Sequence, residues 1–387
     1  MEATESLYWD PIDTEIDTDP YERWRRMRDD APVYRNDHYD FWALSRYADV
    51  EAAHRDPVTF MSSHGTVLEI MTKQPVPSGM MIFHDPPEHT RLRSLVSRAF
   101  TPRRMSELET HIRELCDELL APWDDGADFD FVADFGAVLP SMVISELMGV
   151  PTGDRQWVKD KIDTTFHVEP EIGMVNDVSL MARIELDGFL LELLEARSQS
   201  PGDDLLSSLT QAQLTLRECA DFANLIVSAG TETVARLLGW AAVVLDAHRD
   251  QRAELADDPT LLPNGVEELL RFEAPSPVQG RWTSRPIELH GVEIPPDSKV
   301  LLLTGSAGRD ERVYADADRF DVHRHFDHHV SFGFGIHFCL GAALARLEGR
   351  VALEEALRRH PEWEVDHEHA VRLHTSTVRG WSSVPVR

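Results

Sequence analysis

The chain has 387 residues, with 38 Lys and Arg against 68 Asp and Glu, a formal net charge of −30. That balance excludes a nucleic-acid-binding role, which needs a basic face, and disfavours an anionic membrane surface as partner. With 42% hydrophobic and 27% charged residues the composition is that of an ordinary globular protein, able to bury a core large enough to hold a cofactor.

In chain order, residues 1–20 carry seven acidic side chains and no basic one, the reverse of a signal or transit peptide. Residues 1–16 are expected to be poorly ordered. Strand-like alternation follows at 33–34 and 41–44. Residues 61–84 mix Gly65, Pro75, Pro77 and Gly79 with Val67, Leu68, Ile70, Met71, Met80, Met81 and Ile82, an apolar loop long enough to line a pocket. Apolar residues then recur at helical spacing over 91–100, 111–123, 180–196, 216–248, 264–272 and 340–360. Between two of these, 167–177 contain Pro170 and Gly173 and suggest a mobile corner. Further strand-like pieces fall at 287–294, 299–303, near 371 and at 378–386.

The pattern predicts a mainly α fold with a minor β lobe. No repeat or linker divides it, so a single large domain over residues 1–387 is expected, as a monomer. No run of about 18 apolar residues marks a membrane anchor. Three scattered cysteines, Cys116, Cys219 and Cys339, form no disulfide framework, which agrees with a reducing, cytoplasmic location.

The most specific run is Phe332-Gly333-Phe334-Gly335-Ile336-His337-Phe338-Cys339-Leu340-Gly341, followed by a helical pattern. It places a cysteine where a glycine-rich loop enters a helix, near unpaired N–H groups that favour a thiolate. A dinucleotide-binding loop is rejected because Phe338 stands where the third glycine belongs. The run resembles the cytochrome P450 family of haem-thiolate monooxygenases, whose pattern Phe-Gly-x-Gly-x-His-x-Cys-x-Gly it matches at every defined position. The resemblance implies the P450 fold, with haem b between a long central helix and the cysteine-loop helix, and Cys339 as axial iron ligand flanked by Phe332 and Gly341.

Other segments extend the resemblance over almost the whole chain. Glu268 and Arg271 lie one helical turn apart, and with Arg324 they resemble the structural Glu-Arg-Arg set behind the haem. Ala229-Gly230-Thr231-Glu232-Thr233 resembles the oxygen-binding motif. There Ala229 and Gly230 leave room for dioxygen, Thr233 bonds back to the carbonyl of Ala229 and opens the helix, and Glu232 with Thr233 carries protons as the catalytic pair. His89, Arg93, Arg281 and His337 match positions that hold the haem propionates. Gly308 departs from a common Asn. The histidines His323, His325, His328 and His329 lack any metal-ligand spacing and read as a solvated loop.

The resemblance implies a monooxygenase that hydroxylates a mainly apolar small organic substrate with dioxygen, using electrons from a ferredoxin and its ferredoxin reductase. A peroxide-driven hydroxylase and a haem-binding sensor without turnover are the alternatives. An acidic ferredoxin would need positive charge near the cysteine, for which Arg91, Arg98, Arg103, Arg104, Arg346 and Arg350 are candidates.

Overall fold

The central helix Leu216–Ala247 organises the molecule, and its start is set by a reciprocal cap: Thr215 accepts from the Glu218 N–H while Glu218 reaches back to the Thr215 N–H. Its 32 residues span about 48 Å at the usual helical rise. The helix packs against Val138–Leu147, Asp177–Gln199 and Ala342–Arg359, and through its C-terminal half against the strand Arg379–Ser383. Gly239 makes the last approach close, since a Cβ there would lie 3.0 Å from Val132 and 3.3 Å from Trp381. The coordinates are a computed structural model and describe residues 7–387 other than 125, 170–172, 174 and 326.

The β lobe is a five-stranded sheet in the order Val33–Asn36, Phe41–Leu44, Lys299–Leu303, Val278–Thr283, Phe60–Met61. Phe41–Leu44 runs parallel to Lys299–Leu303, with Phe41 opposite Lys299, and the other pairings are antiparallel. Residues 287–294 fold as a hairpin, turned by His290 and Gly291 at φ 53° and 76°. The strand Val278–Thr283 is absent from the periodicity. It is buried on nearly both faces and carries Gly280 and Arg281, so no alternation marks it.

The expectation of a poorly ordered segment 1–16 fails from residue 7 onward; Met1–Ser6 lie outside the described residues. Trp9 is 2% exposed and packs with Trp24, Phe41 and Leu301. The acidic side chains there serve as caps: Asp10 accepts from the N–H groups of Ile12 and Asp13, and Asp13 from those of Glu15 and Ile16.

Residues 61–84 form the irregular apolar segment expected, with short turns at Leu68–Ile70 and Met81–Phe83, the second packed on the central helix. Of the corner at 167–177, Pro170, its neighbours to 172 and Met174 lie outside the described residues. Asn176 ties its two sides by donating to the carbonyls of His167 and Gly173. Among the described residues, no helix is long and apolar enough to cross a membrane.

Candidate functional site: a cysteine loop and a basic cradle

The cysteine loop is held from below before its sulfur makes any bond. The Cys339 N–H donates to the Phe332 carbonyl at 2.9 Å. Gly335, at φ 66°, lets the loop pass so near the helix Tyr47–Arg55 that a Cβ would lie 2.5 Å from the His54 carbonyl. The Phe332 ring is capped by the Arg346 guanidinium at 4.5 Å. Gly341 is the N-cap of the helix Ala342–Arg359, and nothing in the protein lies within 4 Å of where its Cβ would be.

Cys339 is half-buried, while Cys116 and Cys219 are buried. Burial pushes the Cys339 thiol up; the Gly341 N–H, Arg93 and Arg346 pull the other way without overcoming it. The donors at the helix start and the two guanidiniums favour the thiolate, and burial opposes it.

In the middle of the central helix, Ala229 is exposed and Thr233 partly so within an otherwise buried stretch. Thr233 Oγ1 donates to the Ala229 carbonyl at 2.8 Å, as expected. The helix nevertheless runs unbroken through this point, so the anticipated opening is not present. Glu232 departs further from expectation. One residue before Thr233, it lies about 100° around the helix from it. It is 3% exposed and pairs with Arg236 at 2.9 Å. Arg236 also donates to the Trp381 carbonyl. Burial pushes the Glu232 carboxyl up, and Arg236 opposes it.

Beside the cysteine, basic groups converge with no carboxylate among the described residues bonded to them; Asp85, whose charge reaches His89 and Arg281, accepts instead from the N–H groups of Ser62 and Ser63. Arg93 donates to the Phe338 carbonyl at 2.7 Å, and the His89 and His337 rings lie 4.2 Å apart. Both ring nitrogens of His89 and Nε2 of His337 are buried with no partner. Arg281, 5% exposed, finds only the Gly280 carbonyl and, at 3.4 Å, the Nδ1 of His54. Burial holds the imidazole pKa values down, to about 4 for His89 and about 2 for His337, with the nearby guanidiniums adding to it. Among the described residues none of these groups makes an ion pair. Buried cations and imidazole N–H groups left this way cost several kcal/mol. The cradle therefore fits a ligand that brings anionic oxygens at its edge and a flat apolar body over Cys339, which is the description of haem.

Behind the loop, Glu268 and Arg271 are both fully buried. Arg271 Nε and Nη2 donate to the two Glu268 oxygens at 2.6 and 2.7 Å, and Arg324 Nε to Oε1 at 3.1 Å. Gly308 is required here: a Cβ would lie 2.4 Å from the Arg271 carbonyl. Three of the four histidines read as a solvated loop are bonded to a carboxylate, His323 to Glu254, His328 to Glu51 and His329 to Glu267. Among the described residues no group of side chains is arranged to hold a metal ion.

The profile of the family described as Cytochrome P450 matches residues 33–384. The chain belongs to the cytochrome P450 family. It is 39% identical over 380 residues to the vitamin D(3) 25-hydroxylase of Pseudonocardia autotrophica, covering 95% of this chain and 93% of that one. It is 39% identical over 373 residues to the erythromycin C-12 hydroxylase of Saccharopolyspora erythraea, covering 93% and 92%. The solved structure of the Bacillus subtilis cytochrome P450 PksS superposes with a TM-score of 0.91 at 31% identity, covering 98% and 99%. The P450 fold, the monooxygenase class and the haem-thiolate cofactor follow from this membership.

Three site-region residues escaped the sequence reading: His54, Arg236 and Glu348. Glu348 is fully buried on the cysteine-loop helix, with neither oxygen partnered, and burial pushes its pKa up to about 8. The folded protein therefore holds this proton more tightly than the unfolded chain. Its contribution to stability is complete below about pH 4.5 and is lost as pH rises toward 8. Glu348→Gln, which cannot ionise, should remove part of the stability loss between pH 5 and 8, at up to about 1.4 kcal/mol per pH unit. Urea unfolding at both pH values checks this, and parallel profiles for parent and variant would count against it.

Proposed function

We propose that the chain hydroxylates a mainly apolar small molecule with dioxygen, two protons and two electrons delivered by a ferredoxin and its ferredoxin reductase, the second oxygen atom leaving as water. The observation that carries this reading is the set of basic groups without ion-pair partners among the described residues beside Cys339, together with Ala229 and Thr233 left uncovered in an otherwise buried stretch of the central helix. The haem, when bound, would supply dioxygen activation, with the Cys339 thiolate donating electron density to the iron. His89, Arg93, Arg281 and His337 would hold its carboxylates, and the Glu268, Arg271 and Arg324 set would keep the loop in place.

The protein's part in the chemistry is to admit substrate and guide protons. Ala229 leaves the helix surface thin beside Thr233, whereas Gly230 makes room for Ile144, which a Cβ would meet at 2.7 Å. Thr233 Oγ1, its hydrogen committed to the Ala229 carbonyl, offers its lone pairs to a water beside it. Glu232 can reach that water only after leaving Arg236, so the pair acts as a gated proton source. The names of the two hydroxylase relatives favour a bulky substrate, and the apolar segment 61–84 suits one. A monomer in the cytoplasm is part of the same reading.

Electron delivery needs a face that an acidic ferredoxin can approach. Arg91 is paired with Glu88 and Glu218, Arg346 with Glu267, and Arg350 with Glu109 and Glu354. These three offer less free charge than the sequence suggested. Arg103, with its side chain 93% exposed and Glu107 only at 3.9 Å, is the better candidate. The side chains of Arg98 and Arg104 lie outside the described residues.

Thr233→Ala tests the reading. Haem content and the substrate-induced spectral shift should persist, while product per electron pair falls at least about fivefold and peroxide release rises to match. Unchanged coupling would remove Thr233 from the proton route.

A further inference from the structure

His54 stands outside the four positions that the family pattern assigns to the haem carboxylates, yet the fold builds it into the same place. It lies near the end of the helix Tyr47–Arg55 and is 4% exposed. Its ring sits between the strand that carries Arg281 and the cysteine loop. A Cβ on Gly333 would be 3.7 Å from His54 Cε1 and 3.8 Å from both Gln279 Oε1 and the His337 carbonyl.

The hydrogen-bond pattern fixes what this ring can do. Arg281 Nη2 lies 3.4 Å from His54 Nδ1. A guanidinium only donates, so Nδ1 must accept, and the ring hydrogen is left on Nε2. That nitrogen is buried and has no partner. Burial and Arg281 hold the imidazole pKa down to about 3, so the ring is neutral. A neutral donor, like those of His89 and His337, adds a hydrogen bond to the site without adding charge. Arg93 and Arg281 already bring two positive charges to meet two carboxylates, and a third would leave an uncompensated charge in a buried space.

We infer that His54 is a fifth member of the haem cradle, donating its Nε2 hydrogen to one haem propionate while its Nδ1 accepts from Arg281. The inference rests on haem occupying this site, which the Soret absorption of the parent enzyme establishes separately.

The test compares holoenzymes. His54→Leu removes both functions at similar volume, whereas His54→Gln keeps an oxygen to accept from Arg281 and an amide to donate. Haem transfer to an excess of a high-affinity haem-scavenging protein should be about tenfold faster from His54→Leu and within about twofold of the parent from His54→Gln. In resonance Raman spectra, one of the two propionate bending bands should shift in His54→Leu and hold its position in His54→Gln. Should His54→Leu not accumulate with haem, His54→Met, which can accept but not donate, replaces it in the same comparison. Parental transfer rates in the non-donating variant would overturn the inference. So would faster transfer with both propionate bands unmoved, because that result describes a loosened cavity and no lost hydrogen bond.

Discussion

Cys339→Ser should yield a folded, haem-containing protein whose reduced carbonyl complex lacks the red-shifted Soret band and whose dioxygen-dependent turnover is abolished. The loop does not depend on the sulfur for its shape. Its N–H is bound to the Phe332 carbonyl, and Gly335 is seated against the His54 carbonyl. The cradle of His89, Arg93, Arg281 and His337 should likewise hold the porphyrin edge with serine below it. What serine cannot supply is a polarisable anionic ligand: an alkoxide at this position is far harder to form than a thiolate, and it does not push electron density onto the iron in the same way. The absorption spectrum of the reduced carbonyl complex, taken with haem content by pyridine extraction, decides the matter. A retained red-shifted band would mean that another residue ligates the iron.

The parts of the site legible in the sequence are those whose chemistry is packed into a short run. The cysteine loop is one, since each glycine, the His and the Cys answer a separate constraint within ten positions. Glu268 and Arg271 are another, being neighbours on one helix face. His54 was hidden because only the fold brings it beside Arg281 and Gly333, and no local pattern marks a histidine at a helix end. Arg236 is visible at four residues from Glu232, a standard pairing distance, but the resemblance to the oxygen-binding motif assigns Glu232 to the proton route and hides its partner. The helix Val138–Leu147 escaped for a different reason. Its residues Leu139, Pro140, Ser141, Val143, Ile144 and Ser145 are all buried, so apolar and polar positions show no helical contrast to read. At the N-terminus the order from residue 7 onward rests on Trp9, which is buried, and on Asp10 and Asp13, which cap turns, and neither role shows in local periodicity.

Glu268→Ala should be the most damaging single change outside the cysteine itself, although Glu268 touches no reacting atom. The carboxylate is fully buried and accepts from Arg271 through both oxygens, from Arg324, and from the Asp321 N–H at 2.9 Å. Those guanidiniums in turn tie down the segment that leads into the cysteine loop. Arg271 donates to the carbonyls of Gly308 and Ala317, and Arg324 to those of Ala315, Asp316 and Arg319. Removing the acid leaves two cations without a counter-charge, one of them in full burial, and the expected cost is about 3–5 kcal/mol. Against a typical total stability of about 5–15 kcal/mol, that is enough to lower the yield of haem-loaded protein sharply. Glu268→Gln keeps one acceptor and most of the shape, so it should fall between parent and alanine variant, with the deficit reflecting the lost charge. Urea unfolding followed at the Soret band, alongside haem content on purification, measures both. If Glu268→Ala unfolds at the parental urea concentration and carries full haem, the three residues are neighbours only, and the loop is held by the Phe332 carbonyl and the packing around Gly308 instead.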